Sequence, residues 1–142
     1  MNENAVLLNF IYQNSQMGVN TIRQLMEIVK DEKMREHLKI QLQGYEEFHM
    51  TAEKMLHEKG HDEKGISAME KLRTYLAIQV QTMTDQSVSH IAEMMIRGSS
   101  MGVIDAIKKR KECNQAEKEI KDMMEQLQKF EEHNIEKLKS FL

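Results

Sequence analysis

Apolar side chains recur every three or four residues along most of this chain, the period of a helix that buries one face. From Asn4 to Lys30 the stripe is Leu7, Phe10, Ile11, Asn14, Met17, Gly18, Thr21, Leu25 and Ile28. The tight turn Asp31–Lys33 follows, with Asp31 placed to cap the next helix. That helix carries Met34, Leu38, Gln41, Leu42, Tyr45, Phe48, His49, Ala52, Met55 and Leu56 along one side. It stops at Lys59-Gly60, where glycine suits the left-handed position after a helix. Two long helices joined by so short a turn lie antiparallel.

The second half reads the same way. Residues 61–65 are a loop, a connecting helix is expected from Ile66 to about Met83, and Thr84–Ser87 offers caps for a restart. A helix over Ser87–Glu112, a polar break at Asn114-Gln115 and a last helix over Ala116–Phe141 complete the chain. The last stripe is Ile120, Met123, Met124, Leu127, Phe130, Asn134, Leu138 and Phe141. Periodicity alone leaves open one unbroken helix from Ile66 to Glu112.

An internal echo organises these elements. Met17-Gly18-Val19 returns as Met101-Gly102-Val103 at a spacing of 84, and QLQGYEEFH returns as QLQKFEEHN at a spacing of 85, pairing Tyr45-Glu46-Glu47 with Phe130-Glu131-Glu132. The reading is one all-α domain over 1–142: a hairpin repeat at 4–59, a connector at 60–86 and a second hairpin at 87–141. A connector that carries the chain along the bundle lets the second and third long helices run parallel.

Composition narrows the class. The 142 residues hold no proline and 6 glycines, so little interrupts a helix. Twenty basic against 23 acidic residues, net −3, argue against nucleic acid as a partner. A single cysteine, Cys113, fits a reducing compartment, and neither a signal peptide nor a membrane span is legible, so a cytoplasmic location is expected. Lys108–Lys111 is a basic run at a helix end, and its neighbour Cys113 could carry a lowered pKa. The 13 methionines fall mostly on apolar stripes, as gap-fillers of a core.

The helix lengths, the paired hairpins, the connector and the strings HIAEMMIRG (His90–Gly98) and YEEFH (Tyr45–His49) resemble the ferritin-like superfamily. The chain is similar in particular to bacterial ferritin-like four-helix proteins with a short helix between their hairpins. That resemblance implies a carboxylate-bridged pair of iron or manganese ions, held by a Glu from the first helix of each hairpin and a Glu-x-x-His from each second helix. Here Glu46-x-x-His49 matches, Glu131-x-x-Asn134 lacks its histidine, and the first helices offer no central glutamate. The candidate metal ligands are therefore Glu46, His49 and Glu131, with Asp105 as a further acid.

Two functions compete. The favoured one is a non-catalytic bundle with no cofactor, acting as a homo-oligomer (a dimer) or a partner-binding module, with Ile91, Met95 and Ile96 forming the contact face. The alternative is a di-iron or di-manganese oxidoreductase with a reduced ligand set.

Overall fold

The computed structural model describes residues 2–62, Ala77, Val80 and 83–142. Those residues form four long helices and no strand: α1 (Glu3–Met26), α2 (Glu32–Glu58), α3 (Val88–Glu112) and α4 (Lys118–Lys139). Among the described residues no helix is long and apolar enough to cross a membrane. The connecting helix expected over 66–83 lies mostly outside the described residues.

Local chemistry sets the helix ends. Asp31 accepts the Met34 N–H at 2.9 Å and starts α2. Gly60, at φ +76°, ends it in the left-handed region that favours glycine. Helix α1 stops at Met26, short of Lys30. There Arg35 turns back from α2 and donates to the carbonyls of Met26 and Val29, at 2.7 and 2.8 Å. Those carbonyls have no partner within the helix, so the guanidinium closes the turn. An unbroken rod from 66 to 112 is excluded, because residues 83–87 are not helical. Asp85 accepts the Ser87 N–H there, and Ser87 accepts the His90 N–H as the cap of α3.

Polar contacts fix the relative directions. The Gln115 and Glu117 N–H groups, at the start of α4, donate to Glu3 and Asn4 at the start of α1, each at 2.8 Å. Thus α1 and α4 run the same way. Lys59, at the end of α2, reaches Glu117 at 2.9 Å, so α2 and α4 run oppositely. With hairpins α1–α2 and α3–α4, the order is up, down, down, up.

Burial recurs along the chain in a regular way. In α1 and α3 it repeats at a spacing of 84: Leu7 with Ile91, Leu8 with Ala92, Phe10 with Met94, Ile11 with Met95, Ser15 with Ser99 and Ile22 with Ala106 are all buried. In α2 and α4 the spacing is 86: Met34 with Ile120, Leu38 with Met124, Gln41 with Leu127, Tyr45 with Glu131 and Ala52 with Leu138. The letter match at 85 is therefore one residue out of register with the buried faces. One residue is about 100° of helix rotation, enough to exchange an inward for an outward side chain.

Two apolar clusters result, one at each end of the bundle. Leu7, Ile11, Leu56, Ile120 and Leu127 lie in the first, and Ile22, Leu25, Leu38, Ile91 and Leu138 in the second. Ile91 and Met95, expected on a contact face, belong to this interior at 1% and 7% exposure, and Ile96 packs partly against it. Among the described residues the exposed large apolar ones are instead Ile40, Met50, Met101, Ile104 and Leu142. Ile91→Ala should therefore lower unfolding free energy by about 2–5 kcal/mol in urea titrations and leave the subunit number unchanged.

Candidate functional site

Between the two apolar clusters sits a layer of polar side chains, one or more from every helix. Its centre is Glu131 of α4, only 4% exposed. Asn134 shares its helix face three residues on, and its amide donates to Glu131 Oε1 at 3.5 Å. The same oxygen accepts the Tyr45 hydroxyl of α2 and the Ser99 hydroxyl of α3, the latter at 3.4 Å. The other oxygen, Oε2, accepts the Asn14 amide of α1 at 3.4 Å. Among the described residues no lysine, arginine or histidine pairs with this carboxylate.

Burial and hydrogen bonding oppose each other here. Removing a carboxylate from water disfavours its charged form, and this pushes the Glu131 carboxyl above its ordinary value. The four donors pull the other way, and burial prevails. Burial also pushes the Tyr45 phenol well up, with Glu131 adding to it, so the phenol keeps its proton and donates it.

Two glycines make room for this pair. A methyl group at Gly18 would sit 2.6 Å from the Tyr45 ring, and one at Gly102 would lie 3.0 Å from Glu131 Oε2 and 3.2 Å from Asn14 Oδ1. Gly18 and Gly102 are 84 apart and Tyr45 and Glu131 are 86 apart, the same two spacings that relate the buried faces. The echoed Met-Gly-Val string thus marks the bare helix surface onto which the inward side chain of each hairpin's second helix packs.

The three ligands expected from sequence are not gathered. Glu46 lies away from this layer, 3.6 Å from Arg23, with its side chain 44% exposed. His49 stacks on Tyr12 with ring centroids 4.2 Å apart, its Nδ1 3.3 Å from the Tyr12 carbonyl and its Nε2 4.0 Å from Glu53. Only Glu131 is central. Asp105 is half-buried elsewhere on α3. Among the described residues no three of His, Cys, Asp and Glu are grouped to hold a metal ion. The residues around Glu131 do not fit an iron or manganese pair: they supply one carboxylate, no imidazole, and hydrogen-bond donors that already occupy its oxygens.

The other candidates resolve simply. Burial pushes the Cys113 thiol up rather than down. Glu93, within the HIAEMMIRG string, pairs with Arg97 at 3.5 Å along the surface of α3. The polar layer itself escaped the sequence reading, because Asn14, Ser99 and Tyr45 carry no spacing that marks them as one cluster.

A raised folded-state value makes protonated Glu131 the form that suits the fold. Its contribution is full below the ordinary carboxyl value of 4.5 and is lost as pH rises through the folded-state value. Glu131→Gln keeps the shape and removes the charge, so urea midpoints should show the variant gaining on wild type as pH increases from 4.5. Parallel midpoint curves would contradict the buried-carboxyl assignment. No protein-family profile, curated protein or solved structure matches this chain.

Proposed function

We propose that this chain is a ferritin-like four-helix bundle without a catalytic centre, working in the cytoplasm as an oligomeric or partner-binding module. The single observation that carries this reading is the closed polar layer. Every helix contributes a side chain to it, and those side chains hold a carboxylate rather than leave it open to a substrate or a metal pair. The up-down-down-up order and the matched burial spacings of 84 and 86 support the ferritin-like assignment, since one long crossover between two like hairpins produces both.

A bundle whose central carboxyl is engaged by its own side chains acts through its outside. Met101 and Ile104, three residues apart on α3, are exposed at 37% and 52%, and Ile40 and Met50 are exposed on α2. Residues three apart share a helix face, so Met101 and Ile104 form one apolar edge. This edge takes the place of the Ile91 and Met95 face expected from sequence.

Sedimentation at about 50 micromolar should give a dimer, and Met101→Asp with Ile104→Asp should give a folded monomer. Wild type that sediments as a monomer contradicts the oligomer. Protein grown with iron and manganese should carry less than about a tenth of an equivalent of either. A stoichiometric load removed by His49→Ala would overturn this reading and restore the oxidoreductase.

A further inference from the structure

Beside Glu131, on the side of the layer facing the second apolar cluster, is a cavity of about 40 Å³. Its size decides what could enter. Small-molecule pockets begin at about 300 Å³, whereas one water fills about 30 Å³ in the liquid. The cavity takes a single ion or a water or two, not a metabolite.

The lining has an unusual composition. Asn14, Thr21, Gln41, Tyr45, Ser99 and Glu131 form the polar wall, and Met17 of α1 with Met94 and Met95 of α3 bring three thioether side chains to the same space. The three are 4%, 2% and 7% exposed. In sequence they are a lone methionine and an adjacent pair 77 residues further on; the antiparallel packing of α1 against α3 brings them together. Glu131 is the one carboxyl among the described lining residues, and its hydrogen-bond partners are neutral donors.

We propose that this cavity is a site for one soft monovalent cation of the copper(I) class, held by the thioethers of Met17, Met94 and Met95 and balanced by the Glu131 carboxylate. Three features select that chemistry. Thioethers are soft, nearly neutral donors that prefer copper(I) over hard divalent ions. A hard ion needs several oxygen ligands, charged ones above all, and the lining holds a single carboxyl whose two oxygens already accept hydrogen bonds. A single entering positive charge displaces the Glu131 proton to solvent and is balanced by the carboxylate left behind, and cation and anion are cheaper to keep out of water together than either is alone. Binding involves no electron transfer: the ion enters and leaves as a monovalent cation. The inference is independent of the surface role proposed above.

The test uses the full chain with methyl-labelled methionine, titrated with silver(I) as a redox-inert stand-in and with copper(I) against a chromophoric chelator. One equivalent of silver(I) should shift three methyl resonances together, and these should be the ones missing from Met17→Leu, Met94→Leu and Met95→Leu. The triple leucine variant should bind copper(I) at least about tenfold more weakly. Cys113→Ser, and Met50→Leu with Met101→Leu, should bind as wild type does. Unchanged affinity in the triple variant, or loss in Cys113→Ser, overturns the site. If the triple variant fails to fold, the wild-type spectra still decide: shifts confined to other methionines overturn it.

Discussion

A carboxylate buried at the middle of a helical bundle constrains everything packed around it. Left without partners, Glu131 would cost several kcal/mol to remove from water. Hydrogen bonds to a charged group each return about 1.5–3 kcal/mol, so several must be made at once and in good geometry. The chain meets that demand with one donor from each of α1, α2 and α3 and a second residue of α4. Apolar clusters at either end can tolerate small slips in packing. The polar layer cannot, because a shift of any helix by one turn leaves a donor or an oxygen unpaired. The relative heights of the four helices follow from it.

The layer also shows how hairpins with matching buried faces can differ at one point. Positions 86 apart on the second helices carry Tyr45 and Glu131, which meet, and positions 84 apart on the first helices carry Gly18 and Gly102, which make room for them. Two glutamates there would place like charges in contact in a dry interior, and two tyrosines would leave a hydroxyl without a strong acceptor. A phenol facing a carboxylate satisfies both partners.

Much of the fold was legible because helix ends are local events. Asp31, Gly60 and Ser87 announced their roles through short-range geometry, and the stripes of α2 and α4 named most of the buried residues correctly. The early end of α1 was not legible, since it depends on Arg35 reaching back from another helix. Of the site, Glu131 was legible as a candidate, and Asn14, Tyr45 and Asn134 as inward residues not yet joined to it. Identical letters in YEE and FEE suggested that Glu46 and Glu131 are counterparts, whereas burial pairs Glu131 with Tyr45 and leaves Glu46 away from the layer. Letter identity and helix phase differed by one residue, and in a helix that residue decides which side chain faces inward.

The central layer depends on a direct energetic link between Tyr45 and Glu131, and a double-mutant cycle measures it. Tyr45→Phe, Glu131→Met and the double variant would be unfolded in urea under identical conditions. The expected coupling is at least about 1 kcal/mol, the range found for buried hydrogen-bonded neighbours. Losses that add to within about 0.3 kcal/mol would mean the two side chains do not meet, and the central layer described here would be contradicted.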